Sequence, residues 1–280
     1  MARADTYYVV VAGLGGEPVY TQRYDSAAKT LAQLFSQGGA ASHVTLLTDA
    51  AATGAALTTA LQQVAAAAKP ADDFVLVLIG HGTDDGVVYK FNLPGPDLDA
   101  PTLARLCDRI RCQRQLIVAT SECSGGALAA LARPGRRAVI AATRNGSEKN
   151  ATVFARYFVQ ALQNPAADLD KNQAISGQEA FAFAQRQVAD FYKSQKRIAT
   201  EHASDAEPKL LASITLVRFG AAQQLYANPA KRTLLARREE LERQIDALSY
   251  RKDAMTDDDY RTQMTALLVA LANLDKEIAQ

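Results

Sequence analysis

Between residues 6 and 218 the chain alternates short, β-branched apolar runs with alanine-rich segments of helical period, and that alternation predicts a βαβ sheet protein. Strands are expected at Thr6–Ala12, His43–Leu47, Phe74–Ile79, Gln115–Thr120, Arg137–Ala142 and Leu211–Val217. Helices are expected at Ser26–Ser36, Ala55–Ala67, Ala100–Arg109, Ala127–Leu131, Ala151–Leu162 and Gly177–Ala199. The run from Phe74 to Ile79 is apolar on both faces, as a central strand covered by helices on either side must be. The expected class is therefore α/β, with a mostly parallel sheet flanked by helices on both faces.

The pattern changes after Gly220. Leu234, Arg238, Leu241, Ile245 and Leu248 recur at heptad spacing, and Tyr260, Met264, Leu267, Leu271, Leu274 and Ile278 repeat it after a break. Thr256 followed by Asp257, Asp258 and Asp259 offers an N-cap with acids in the first turn, where the helix dipole favours them. A short connection between two such helices predicts an antiparallel hairpin. The expected division is a domain over residues 1–220 and a helical hairpin over 221–280, the latter a surface for a second copy or a partner.

Length agrees with that division, since 280 residues make one large domain or two modest ones. Lys plus Arg number 31 and Asp plus Glu 30, a net charge of +1. So even a balance lacks the concentrated basic field of a general nucleic-acid binder. No apolar run is long enough for a membrane span. Three cysteines, Cys107, Cys112 and Cys123, are too few for a disulfide framework, and the three histidines show no zinc spacing. The N-terminus enters Tyr7-Tyr8-Val9 without a basic and then long apolar stretch, which fits a cytosolic chain or a mature chain given a new start codon.

In open α/β sheets, chemistry gathers beyond the carboxyl ends of the strands. Phe74–Ile79 runs into Gly80-His81-Gly82-Thr83-Asp84-Asp85-Gly86, and Leu116–Thr120 runs into Ser121-Glu122-Cys123-Ser124-Gly125-Gly126. A thiol at a helix N-terminus has its thiolate stabilised, a nearby imidazole can share the proton, and glycines leave backbone N–H groups free to face an oxyanion. The competing reading is a small buried cysteine and an uninformative His-Gly pair. Cys107 falls on a helix-period segment and reads as a packed core thiol; Cys112 and His43 sit at the amino ends of strands, the wrong edge for chemistry. His202 is an alternative base.

His81-Gly82 after one apolar strand and Cys123-Ser124-Gly125 after the next resemble the caspase-fold cysteine peptidases, and among them the legumain-like family of bacterial type, over roughly residues 6 to 218. The resemblance implies a caspase-like fold with Cys123 as nucleophile, His81 as base or as acid for the leaving amine, and the backbone N–H groups of Gly82 and Cys123 as oxyanion donors. One departure stands out: the family puts an acid after the cysteine, whereas Glu122 precedes it here. Members that cut after Asn or Asp carry an arginine soon after the first strand, and Arg23 occupies a similar place, with a solvated helix arginine as its alternative. The loop Thr143–Lys149 leaves the next strand at the same sheet edge, so Ser147 and Glu148 are candidate substrate contacts. If Glu148 dominates the pocket, basic residues are preferred instead. Exported relatives also tilt the expected compartment towards a periplasmic or secreted mature domain.

Asp168-Leu169-Asp170-Lys171-Asn172 through Ser176 and Glu179 follows the ligand order of an EF-hand loop. Asp168, Asp170, Asn172 and Glu179 are therefore candidate ligands of a structural calcium. Position 6 is Gln173 rather than glycine, which favours a plain Asp-rich helix cap. The expected function is a cysteine endopeptidase that cuts after Asn or Asp, requires no cofactor, and can pass its acyl group to an amine as well as to water. The alternative is a non-catalytic caspase-fold interaction module acting through its hairpin on a partner.

Overall fold

A computed structural model describes residues 5–37, 42–249 and 251–279. The chain forms two compact units, Met1–Arg218 and Phe219–Gln280. In the first, the strands are β1 (Thr6–Ala12), β2 (Ser42–Leu47), β3 (Asp73–Ile79), β4 (Gly82–Asp84), β5 (Tyr89–Phe91), β6 (Leu98–Asp99), β7 (Arg114–Ala119), β8 (Arg137–Ala141), β9 (Ala174–Ser176), β10 (Ser204–Ala206) and β11 (Thr215–Arg218). Its helices are α1 (Pro18–Ser36), α2 (Gly54–Ala67), α3 (Ala100–Asp108), α4 (Leu128–Leu131), α5 (Phe154–Gln163), α6 (Gly177–Ser194) and α7 (Pro208–Ser213).

Six strands form the main sheet in the order β2-β1-β3-β7-β8-β10. All pairings are parallel except that of β10 with β8. Successive side chains of a strand point to opposite faces, and β1 uses both. Val9 and Val11 enter a core with Leu57 and Leu61 of α2 and Leu103 of α3, whereas Tyr8 stacks on Phe35 of α1 with ring centroids 4.2 Å apart. The chain passes from β1 out to β2, returns across β1 to β3, and then proceeds through β7 and β8. This reversal makes the carboxyl ends of β1 and β3 a topological switch point, where the two exits stay in contact: the Gly13 N–H donates to the Ile79 carbonyl at 2.8 Å and the Leu14 N–H to the Asn92 carbonyl at 3.0 Å.

Two elements differ from the pattern of the sequence. Leu211–Val217 is not a strand of the main sheet: Pro208 opens the short helix α7, where its fixed φ suits the first turn and its missing N–H costs nothing. Only Thr215–Arg218 is extended, and it pairs with β9 as a separate antiparallel ribbon. The sixth strand of the main sheet is the three-residue β10, too short to offer a long open edge. Secondly, α1 begins at Pro18 rather than at Ser26, and its buried stripe is Tyr24, Ala28, Leu31 and Phe35. The earlier start carries Tyr20, Arg23 and Tyr24 on the first two turns, next to the end of β1.

The second unit contains α8 (Gly220–Ala227), α9 (Pro229–Ser249) and α10 (Asp257–Ala279). Leu235, Leu274 and Ile278 form its small core with Leu225 and Tyr226 against them. Lys231 Nζ donates to the Ile278 carbonyl at 2.7 Å and Arg238 pairs with Asp275 at 2.8 Å, a pairing in which one index rises as the other falls, so α9 and α10 run antiparallel. Thr256 caps α10 through the Asp259 N–H.

Candidate functional site

Strands β3 and β7 are neighbours in parallel register, Leu78 opposite Ala119, so the segments beyond their carboxyl ends emerge side by side. The Thr120 N–H and hydroxyl both donate to the Leu78 carbonyl and lock the two exits together. Gly82 then passes so close to the second segment that a Cβ there would lie 2.6 Å from Ser121 Oγ and 2.9 Å from the Glu122 carbonyl oxygen. No larger residue fits without separating the loops.

Cys123 has φ +60° and ψ −2°, the left-handed region that costs an L-residue about 1 kcal/mol or more. Its neighbours hold it there. The Gly126 N–H donates to the Cys123 carbonyl at 2.9 Å, the Gly125 N–H to Thr143 Oγ1 at 2.8 Å, and the Ala142 N–H to Ser124 Oγ at 3.0 Å. Cys123 leads into a 3₁₀ turn, Ser124–Ala127, and then the single-turn α4. The stabilisation of a thiolate by a helix dipole, expected from the sequence, is therefore small, because one turn aligns too few peptide units. Cys123 is 2% exposed. Burial pushes its thiol above the ordinary cysteine value, the Glu122 and Asp84 carboxylates add to the shift, and Lys149 opposes it. The Asp84 carboxylate lies against Gly126, where a side chain would run into it.

His81 stands between the carboxyl end of β3 and the start of β4. Its Nδ1–H donates to Glu122 Oε1 at 2.8 Å, and the Tyr24 hydroxyl is 3.2 Å from Nε2. Tyr20 and Tyr24 meet the imidazole edge-on at 4.9 and 5.3 Å between ring centroids. The hydrogen bond to Glu122 raises the imidazole above the usual histidine value; burial works against this, while the charge of Glu122, the Gly15 backbone and Glu17 assist. Glu122 Oε2 is buried without a hydrogen-bond partner among the described residues. The ring is thus joined to the residue before the cysteine, and none of the described hydrogen bonds joins it to the sulfur itself.

The other candidates fall at graded distances from this pair. The Cys123 N–H, expected as an oxyanion donor, is given to the Glu148 carbonyl at 2.8 Å, so in this conformation it is engaged. Gly82 pairs with Phe91 in the β4–β5 ladder. Glu148 reaches the site through its main chain, because its carboxylate accepts from the N–H groups of Arg144 and His202 and from His202 Nδ1 at 2.6 Å. That pairing occupies His202, the alternative base, and leaves Glu148 a weaker candidate for binding a basic substrate side chain. The Ser147 N–H and hydroxyl both donate to Asn145 Oδ1. Arg23 is exposed, with its guanidinium 5.4 Å from the centre of the Tyr20 ring, which itself touches His81. Cys107 and Cys112 are buried with thiols pushed up to about 12, chiefly by burial, and His43 stacks on Tyr7 and bonds Asp5 at the amino end of β2.

In the acidic loop, one carboxylate oxygen from each of Asp168, Asp170 and Glu179 lies within 4.8 Å of the others. Asp168 accepts from the N–H groups of Asn172 and Gln173, and Asn172 bonds Asp170. Gln173, where the motif wants glycine, has φ +65° and so adopts the turn that glycine would supply. Glu179 meanwhile closes a capping box with Ser176 at the start of α6. Burial and the charges of Glu179 and Asp168 raise the Asp170 carboxyl above its usual value.

Sequence reasoning passed over Asp84, Tyr20 and Tyr24, and noted Glu122 only as a departure from a pattern. An acid immediately before a candidate nucleophile was the one available signal.

No protein-family model and no curated protein matches the sequence. Among solved structures, the crystal structure of protein GSU0716 from Geobacter sulfurreducens is similar, with a TM-score of 0.52 at 15% identity over 78% of this chain and 100% of that one. The likeness concerns the fold alone.

Proposed function

We propose that the chain is a cysteine endopeptidase of legumain-like type, with Cys123 as nucleophile and His81 as the proton carrier. The observation that supports this most is the pairing of a left-handed, tightly held cysteine with a histidine–carboxylate pair at adjacent strand exits, beside the switch point of the sheet. The Cys123 thiolate forms a C–S bond to the peptide carbonyl carbon. As the C–N bond breaks, the imidazolium of His81 gives its proton to the departing amine. Water, or an incoming amine, then attacks the thioester and gives a proton to the now neutral imidazole of His81, the C–S bond breaks, and the sulfur leaves as the thiolate, which restores the starting thiolate and imidazolium. For the Cys123 N–H to face the oxyanion, the Glu148 carbonyl must first move away, so substrate binding has to shift the Thr143–Lys149 loop.

A panel of fluorogenic peptides with Asn, Asp, Arg or Lys before the reporter tests the reading. Release of the fluorophore by the native chain supports the peptidase; silence on all four supports the rival, a non-catalytic interaction module. Within the panel, Arg23→Ala should lower kcat/KM on Asn and Asp peptides by about tenfold, the size of one charge-assisted hydrogen bond. Because the side chain is exposed, the melting temperature should barely change. Equal losses on all four peptides would remove Arg23 from the specificity pocket.

The acidic loop suits a structural calcium better than its sequence suggested, because Gln173 adopts the required turn and a cation would relieve the repulsion around Asp170. Binding would pull Glu179 from its capping box, so the net gain is modest. Millimolar calcium should raise the melting temperature by a few degrees in the native chain and not in Asp168→Asn, since a ligand of the folded state alone stabilises it. An unmoved native melting curve would leave the loop as a helix cap.

A further inference from the structure

We propose that Glu122 is the positioning residue of His81, orienting the ring through Nδ1 and keeping the proton on it. The inference rests on the peptidase reading of Cys123 and His81 and adds a third residue to it.

The geometry singles out Glu122 from every other group facing the ring. On the α1 side stand the phenol rings of Tyr20 and Tyr24, which meet the imidazole edge-on, with Glu17 acting from just before the helix. The Gly15 backbone, after β1, also favours the charged ring. Glu122 alone brings a carboxylate into direct contact, at 2.8 Å. Its second oxygen is buried without a partner among the described residues, and no Lys or Arg among them pairs with it. The negative charge is therefore spent on His81 rather than shared with a surface cation. Burial strengthens such a contact, since the surrounding dielectric is low.

The placement also determines its cost. Glu122 adjoins Cys123, so the charge that holds the proton on His81 also opposes thiolate formation, in concert with Asp84 and against Lys149. One carboxylate thus acts on both titrating members. Active enzyme needs thiolate and imidazolium together; activity rises as the thiol ionises and falls as the imidazolium is lost. With Glu122 charged, both transitions lie at higher pH than they otherwise would. Removing the charge must lower both, and the window of activity must move towards acid. A residue that merely supported the fold would lower activity without displacing that window.

The two titrations need no peptide substrate. The three imidazoles are followed by NMR against pH and assigned with His43→Gln and His202→Gln. In the native chain His81 should titrate above the ordinary histidine value. In Glu122→Gln, which keeps the shape, that transition should fall towards the ordinary histidine value, and the pH at which iodoacetamide reaches half its maximal rate on Cys123 should fall with it. Glu122→Asp, retaining the charge on a shorter arm, should restore part of both shifts. An ordinary His81 titration in the native chain overturns the proposal even if the variant does not fold, as does an unmoved titration in Glu122→Gln. If both transitions shift while neither protein cleaves any peptide, the positioning role stands and the peptidase reading fails. If peptides are cleaved but neither transition shifts, the peptidase reading stands and the role of Glu122 fails.

Discussion

Replacing Cys123 with alanine should reduce peptide cleavage by about a thousandfold or more, and replacing it with glycine should do the same in a protein more stable than the alanine variant. Under the proposed mechanism both lose the sulfur that would form the acyl bond. They differ in the backbone. At φ +60° an L-residue carries a penalty of about 1–2 kcal/mol, which alanine retains and glycine escapes, against about 0.5–1 kcal/mol for the extra freedom of glycine in the unfolded chain. The glycine variant should therefore be more stable by about 0.5–1 kcal/mol in urea unfolding. At an ordinary strand or helix position the order would be reversed. A glycine variant clearly less stable than the alanine variant would mean that Cys123 is not held in the left-handed conformation.

Arg137→Met should destabilise the first unit by about 3–4 kcal/mol. The guanidinium, 1% exposed, is the largest fully buried side chain, and each arm has its own acceptor. Nε donates to the Leu131 carbonyl at 2.6 Å, Nη1 to Gln115 Oε1 at 3.1 Å, and Nη2 to Asp108 Oδ1 at 2.7 Å. Gln115 in turn donates to the carbonyls of Cys107 and Ile110. One side chain thus ties the end of α3, the start of β7 and the end of α4, at the edge of the sheet opposite the candidate site. Methionine fills much of the volume but leaves the Leu131 carbonyl and Gln115 Oε1 without this donor and takes one of two guanidiniums from Asp108, each loss costing about 1 kcal/mol or more. Asp108→Asn should cost less, because Asp108 is partly exposed and amide oxygen can still accept. Two guanidiniums, Arg133 and Arg137, hold the Asp108 carboxyl below its usual value despite partial burial. A depressed carboxyl contributes stability above its unfolded value, near 3.9, and loses it as the pH falls through the folded one. The gap between the native chain and Asp108→Asn should accordingly close below about pH 4. Urea unfolding at pH 7 and at pH 3.5 measures both effects; equal stabilities of the native chain and Arg137→Met would sink the first.

Local pattern was enough for the central strands. Thr6–Ala12 is extended over the residues its apolar run marked, and the runs at Phe74 and Gln115 are β3 and β7 to within a residue at either end. A stretch this apolar and β-branched can be buried only between two covering layers, so its identity does not depend on distant contacts. The hairpin was legible for a similar reason, since heptad spacing belongs to each helix alone. The small strands β4, β5, β6, β9 and β10, each of two or three residues, were not legible. They are extended because a neighbour offers hydrogen bonds, and nothing in three residues encodes that.

In the site the same division runs between residue type and geometry. The sequence by itself determined that His81 and Cys123 follow apolar strands, that glycines flank them, and that the chain is α/β with a helical end. Tertiary structure alone decided that those two strands are neighbours, that α1 begins early enough to set Tyr20 and Tyr24 against His81, and that Glu122 reaches the imidazole. It also gave the Cys123 N–H to Glu148 and the Glu148 carboxylate to His202. Periodicity reports which face of an element is buried, a property of consecutive residues. Which nitrogen meets which oxygen depends on strand order, loop closure and backbone angles, all settled by parts of the chain far apart in sequence.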